Sequence, residues 1–374
     1  MKKIAGLFLF IIVNLLSAEQ LENVQIPTDT KVDWMELKSG EWVRGEFKGV
    51  YSSKVEFDSE EFNLVKFDLD DVNKIITIGQ SMINLNADMP NLQALNKLSI
   101  LNNSENEIIG KLSFENSKFL VELEDGTQKI LDTDVVASIS AGEPKESNYW
   151  RASVFLGLDI LSGNSEQITI TGKASAQRRT SLTRFRADYL STYTKVDSNT
   201  TTADNNRLTS SFDLYQTTHF YWRLLSLEYL RDPFRNIDSK YTVSAGAGYD
   251  ILYTDKTDWS ITMGPGYQET RYDTVVIGSD TSASTPLIFL DTRFSRELGS
   301  DVDFLLNYNM YYVNTKSGRY VHHAEASLET EFINDFTADF SVFWDRIELP
   351  TADENAILPG KDDFKTMLSI GYSY

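Results

Sequence analysis

The chain has 374 residues, no cysteine and a formal net charge of −20. Without cysteine there is no disulfide, no thiolate metal site and no cysteine-borne lipid anchor. The acidic excess excludes nucleic acid as a partner, because phosphate binding is driven by Lys and Arg.

The acidity is unevenly placed. Residues 19–147 hold 25 Asp and Glu against 12 Lys and Arg, and residues 148–374 hold 30 against 21. Such a balance favours solubility outside the cell.

The first elements set the compartment. Lys2 and Lys3 precede an apolar run from Ile4 to Leu16, interrupted by Gly6 and Asn14, and Leu16-Ser17-Ala18 then leads to Glu19. This is the pattern of a secretory signal peptide over residues 1–18. The apolar run is well short of the ~20 residues that a spanning helix needs. No later segment approaches about 18 consecutive apolar residues, which excludes a second membrane helix but leaves a membrane barrel open.

Residues 19–141 are expected to form a small periplasmic β-domain. Two stretches, 33–76 and 104–140, repeat one theme at an offset of about 64 residues. Trp42-Val43-Arg44-Gly45-Glu46-Phe47 aligns with Ile108-Ile109-Gly110-Lys111-Leu112, and Val55-Glu56-Phe57 aligns with Val121-Glu122-Leu123. The pattern is similar to SH3-like or Sm-like barrels of short bent strands, one per repeat. Gln80–Asn103 reads as a joiner, broken at Met89-Pro90-Asn91. Residues 142–148 read as the linker to the next domain.

Residues 149–374 read as a transmembrane antiparallel β-barrel, all-β, of about twelve strands (range about 10–14). Val302, Phe304, Leu306, Tyr308, Met310 and Tyr312 alternate with more polar neighbours. So do Phe336, Ala338, Phe340, Val342 and Trp344, and so do Tyr241, Val243, Ala245, Ala247, Tyr249 and Ile251. These runs suit the ~9–11 residues of a tilted membrane strand. Trp150, Tyr193, Tyr253, Trp259 and Trp344, at run ends, suit interfacial girdles. Strands are expected near 149–161, 166–178, 182–194, 206–217, 220–231, 240–253, 258–271, 285–296, 301–313, 318–330, 335–347 and 364–374.

Among the odd connectors, 196–205, 231–240, 273–284 and 350–363 are long and polar. The even ones, such as 179–181, 218–219 and 255–258, are short. Long extracellular loops and short periplasmic turns give this phase. The last strand, ending Leu368, Ile370, Tyr372 and Tyr374, should pair with the first, because a sheet in lipid cannot keep an open edge. Tyr372 and Tyr374 make the terminal aromatic signal that the barrel assembly machinery reads.

Trp150-Arg151-Ala152-Ser153-Val154-Phe155-Leu156-Gly157 with Ser162-Gly163-Asn164-Ser165, then Asp232-Pro233-Phe234-Arg235-Asn236-Ile237 and Gly246-Ala247-Gly248-Tyr249, resembles the DUF481 family over about 149–374. That family is known as salt-induced outer-membrane proteins. The resemblance implies an outer-membrane barrel of undefined biochemical role in a Gram-negative bacterium.

Catalytic chemistry finds little support. His219, His322 and His323 are the only histidines, and adjacent strand residues such as His322 and His323 face opposite sides. No metal site, cofactor or catalytic residue is expected, and the glycines of Gly246-Ala247-Gly248 open no helix, so a phosphate loop fails its context test. The candidate functional residues are those facing away from the apolar wall: Arg184, Arg186, Asp188, Asp301, Asp303, Asn307 and Asn309. They would fill a narrow lumen with ion pairs or line a polar pore. The leading expectation is a non-enzymatic outer-membrane barrel that anchors a periplasmic domain, with membrane lipid and an envelope protein as partners. The alternatives are a small-solute channel and a lipid-modifying enzyme.

Overall fold

The computed structural model describes residues 31–59, 63–86, 107–142, 145–161, 167–196, 200–299, 302–333 and 336–373. Between Asp33 and Tyr374 the strands form two sheets, one of which closes into a twelve-stranded antiparallel barrel.

The barrel strands are β10 (Trp150–Leu161), β11 (Gln167–Arg179), β12 (Thr183–Val196), β13 (Thr200–Tyr215), β14 (Phe220–Asp232), β15 (Ile237–Tyr253), β16 (Thr257–Arg271), β17 (Ser282–Glu297), β18 (Val302–Tyr312), β19 (Tyr320–Ile333), β20 (Phe336–Ile347) and β21 (Asp362–Ser373). Each pairs with its sequence neighbour, and β21 closes on β10 with Ser153 opposite Ser373 and Leu156 opposite Ile370. Period-2 alternation sends one residue set outward. Ile168, Ile170, Val243, Met263, Ile288, Leu328 and Phe340 stand exposed on the outer wall. Closure leaves no free sheet edge there, which is the condition for a sheet to survive in hydrocarbon.

Four of the connectors are shorter than expected. Residues 200–205, 237–240, 282–284 and 362–363, expected in loops, belong to β13, β15, β17 and β21. Their polar side chains do not prevent pairing. Thr201 sits opposite Lys195 and Asp204 opposite Tyr193, so the ladder satisfies the backbone beyond the apolar belt. The longer connectors are 272–281, 313–319 and 348–361, all at one end. The turns 180–182, 216–219 and 254–256 lie at the other, the short-turn end.

Tyr253 was expected in an outer girdle. A register shift between Asp250 and Leu252 turns it to the inside instead, and Leu252 takes the outer position. A β-bulge inverts side-chain facing in this way, and alternation counted along the sequence does not show it. Trp150, Trp259 and Trp344 do lie on the outer wall, against Phe185, Thr292 and Phe364.

The strands of the N-terminal sheet are β1 (Asp33–Leu37), β2 (Trp42–Tyr51), β3 (Lys54–Ser59), β4 (Asn63–Asp68), β5 (Val72–Leu85), β6 (Glu107–Glu115), β7 (Lys118–Glu122), β8 (Gln128–Asp132) and β9 (Val136–Ala141). They run in the order β4-β3-β2-β1-β5-β6-β7-β8, with β9 pairing both β2 and β5. β2, β1, β5 and β9 make a closed ring of four. The expected repeats are therefore fused rather than separate. β5 extends through Gln80–Leu85, the start of the expected joiner, and supplies a strand to both copies. One apolar core serves both, from Met35, Phe47 and Phe57 to Leu112, Phe119 and Ile139.

The stretches 33–76 and 104–140 share two local features. A Cβ on Gly45 would meet the Asp58 carbonyl at 2.1 Å, and one on Gly110 the Glu122 carbonyl at 2.5 Å. The β2–β3 turn, Ser52-Ser53, and the β6–β7 turn, Asn116-Ser117, both run at positive φ, the geometry of tight two-residue hairpins.

Candidate functional site

Two arrangements stand out: a contact between the N-terminal sheet and the short-turn end of the barrel, and a filled lumen.

The contact is made by the β2–β3 hairpin. The Ser52 hydroxyl donates to the Thr218 carbonyl at 3.1 Å and lies 3.3 Å from an Asp250 carboxylate oxygen. Tyr51 packs with Tyr215, Tyr221 and Tyr253 in one buried aromatic cluster. The Arg179 guanidinium lies 3.4 Å over the Tyr51 ring and donates to Glu56 at 2.8 Å and to the Tyr253 hydroxyl at 2.9 Å. Tyr253 also donates to Glu56. Lys66 pairs with Asp258 at 2.7 Å. On the other flank Asn84 and Ser138 donate to the Ser181 carbonyl.

Burial alone would raise the Glu56 pKa. The cations Arg179 and Arg151 outweigh that, and the carboxyl is held below its ordinary range. Burial raises the Tyr51 hydroxyl well above its ordinary value, so it stays neutral.

Charge fills the lumen in three groups. In the first, Asp213 accepts from Arg184 at 2.9 Å and Arg223 at 2.8 Å, and Arg223 continues to Asp291. Arg186 lies 3.9 Å from Asp213 and donates to Gln177, Arg293 donates to Asp188 at 2.9 Å, and Asn309 donates to Asp291. In the second, Glu228 accepts from Arg207, Lys240 and Tyr311, and Asp345 from Arg207, with His323 3.0 Å away. In the third, Lys173 lies among Glu325 at 2.9 Å, Glu329 at 3.3 Å and Asp339 at 3.6 Å, and Asn307 donates to Glu325.

Arg184, Arg186, Asp188, Asn307 and Asn309 thus meet partners on other strands. Asp303 shares the facing of Asn307 and Asn309 but is exposed, towards the short-turn end. Asp301 and Tyr374 lie outside the described residues. Tyr372 is on the outer wall, edge-on to Phe336 at 5.6 Å. His322 faces outward in a stack with Trp344, opposite in direction to His323.

Buried apolar and aromatic clusters lie inside the barrel at three levels. The tyrosine cluster lies at the short-turn end, beside a cavity of about 60 Å³ lined by Tyr51, Glu56, Arg151 and Arg179; Phe155, Phe343 and Met367 lie midway; and Phe289 and Tyr311 pack with Leu287, Val313 and Val321 towards the long-loop end. Glycines make room for them. A Cβ on Gly248 would stand 2.2 Å from the Tyr221 ring, and one on Gly371 2.2 Å from Phe155. A cavity of about 30 Å³ between Ser211, Arg293 and Tyr311 has room for one water.

Sequence reasoning missed Tyr51, Glu56 and Arg179. Glu56 had a readable signal, an acidic residue between two core positions, Val55 and Phe57, where alternation of a two-faced strand gives it a buried neighbourhood on the second face.

Residues 154–374 match the family described as "Protein of unknown function, DUF481". The chain belongs to this family. Its barrel is also similar in architecture to solved structures. A NanC porin matches at 10% identity with TM-score 0.34, over 59% of this chain and 96% of that one. The translocator domain of the autotransporter NalP from Neisseria meningitidis matches at 12% identity and TM-score 0.35, over 60% and 88%. An outer membrane channel from Pseudomonas putida F1 matches at 10% and 0.32, over 62% and 100%. Likeness at this level carries no functional information. No curated protein matches the chain. The DUF481 match leaves Asp33–Ala141, the sheet that supplies Tyr51 and Glu56, outside its bounds.

Proposed function

We propose that this DUF481 chain is a non-enzymatic outer-membrane barrel that anchors its N-terminal sheet at the periplasmic mouth and is sealed against passage along its axis. The observation that carries the reading is the filled lumen, with three levels of buried rings and the Glu56–Arg179 contact across the mouth. The apolar outer wall supports a membrane setting, and the loop asymmetry supports an orientation with 272–281 and 348–361 outside.

Orientation has a direct test. The chain lacks cysteine, so one introduced thiol reports alone. Ile277→Cys, at a position 99% exposed in the long loop, should react with an impermeant maleimide on intact cells. Lys129→Cys in the N-terminal sheet should react only after the outer membrane is permeabilised. Equal labelling of both on intact cells would contradict the placement.

A further inference from the structure

The contact at the barrel mouth encloses a cavity that neither the anchor nor the seal explains. It measures about 60 Å³, twice the lumen cavity that takes one water, which is room for one small oxyanion. Both sheets supply its walls: Lys48, Tyr51 and Glu56 come from the N-terminal sheet, and Arg151, Gln177 and Arg179 from the first two barrel strands. Arg151 is exposed, so the cavity is open to solvent on that side.

The charge of this lining runs against that of the chain. The protein carries a net −20, yet here three cations surround one carboxylate. That carboxylate, Glu56, is already engaged by Arg179 and Tyr253. Lys48 pairs with Glu46 at 2.8 Å, but Glu46 is outside the lining and 54% exposed, and pairs of that kind contribute little. Arg151 has no carboxylate at ion-pair distance among the described residues, whereas its neighbours Arg178 and Arg179 each have one.

Hydrogen-bond donors on the same walls are also unused. Arg179 directs Nε to the Tyr215 hydroxyl and Nη1 to Glu56 and Tyr253, and its Nη2 donates to nothing among the described residues. Gln177 accepts from Arg186 through Oε1, which leaves its amide NH2 without an acceptor among those residues. Gln177 stands directly opposite Arg151 in the β10–β11 ladder, so the two side chains reach the cavity side by side. Converging N–H donors, most of them cationic, are the complement of an oxyanion, and guanidinium forks match its edges.

We propose that this cavity binds one phosphate group, which bridges the two sheets. Arg151, Arg179 and Gln177 donate to it from the barrel, and Lys48 from the N-terminal sheet. An excess of two cations in the lining suits a phosphate dianion better than a carboxylate. Neither sheet supplies the whole site, so the ligand favours the docked arrangement and strengthens docking. Two sources carry this chemistry: free phosphate and the headgroup of an anionic phospholipid. The site rests on the proposed docking of the N-terminal sheet and not on the sealed lumen.

Equilibrium dialysis of the full-length protein in a neutral detergent, with radiolabelled inorganic phosphate, reads the site. One saturable site per chain is expected. Arg151→Gln removes a side chain that holds no ion pair and should weaken binding about tenfold or more. Arg271→Gln, at an exposed pair on the long-loop end, should leave it unchanged. The same titration is run with the sheets locked by a disulfide between Ser52→Cys and Thr218→Cys, which are in contact at the mouth and outside the cavity lining. Binding by the locked protein alone would uphold the site and count against spontaneous docking. For the lipid source, the protein is extracted from phosphatidylcholine vesicles made with or without phosphatidic acid, and retained lipid is identified by mass spectrometry. Retention of phosphatidic acid that Arg151→Gln abolishes, with no saturable site for free phosphate, would uphold the site and make the headgroup its ligand. Neither ligand bound by the locked protein, or binding indifferent to Arg151→Gln, would overturn the proposal.

Discussion

Asp213→Ala should destabilise the barrel by about 3–5 kcal/mol, the cost of leaving buried cations without their counter-charge. Asp213 is fully buried and accepts from both Arg184 and Arg223, themselves 5% and 3% exposed. Arg223 retains Asp291, but Arg184 has no second carboxylate at ion-pair distance among the described residues. Three guanidiniums, those of Arg184, Arg223 and Arg186, then repel one another in a site that solvent does not reach. The comparison is Glu269→Ala, which breaks a solvent-exposed pair with Arg271 at 3.2 Å and should move stability by less than about 0.5 kcal/mol. Urea midpoints followed by heat-modifiable migration give both values. Equal small effects would mean that the lumen pairs are hydrated, as in an open pore.

Arg179→Ala should release the N-terminal sheet from the barrel mouth. The substitution leaves Glu56, buried at 3% exposure, without the one cation in direct contact with it, again worth about 3–5 kcal/mol. Because ~1.4 kcal/mol is tenfold in an equilibrium, the docked population should fall by roughly two to three and a half orders of magnitude relative to the undocked one. A disulfide between Ser52→Cys and Thr218→Cys reports docking, since the Ser52 hydroxyl contacts the Thr218 backbone. It should form readily with Arg179 present and poorly without it. The pH dependence has a definite sign. The folded Glu56 pKa lies below its unfolded value of about 4.3. Its contribution is therefore fully present above that value and lost as pH falls through the lower folded one. Docking should hold at neutral pH and weaken only below about pH 4.

The barrel was legible because a membrane wall repeats one simple rule. Residues such as Phe336, Phe340 and Tyr372 must face lipid at every second position, so each strand announces itself. The closing pair follows from the same physics, since Leu368 and Ile370 need a partner strand and only the first remains. Tyr253 was misread because a bulge at Asp250–Leu252 reverses the count. The polar stretch 200–205 was misread because a ladder needs only backbone groups, whatever the side chains.

The lumen was legible by facing but not by pairing. Arg184 and Arg186 announce an inward charged face, yet Asp213 lies one strand on and Asp188's partner, Arg293, is on β17 across the barrel. Such contacts depend on barrel tilt and closure. The mouth was less legible still. Tyr51 and Glu56 look like ordinary positions of a small β-domain until the hairpin carrying them meets Arg179, which is 123 residues away in the chain.

The most direct test of the sealed-barrel account is single-channel recording of the full-length protein in planar bilayers. The account predicts silence: no unitary conductance, with insertion verified by heat-modifiable migration of protein recovered from the same preparation. A steady unitary conductance from wild-type protein, at neutral pH and with Glu56 and Arg179 intact, would contradict it.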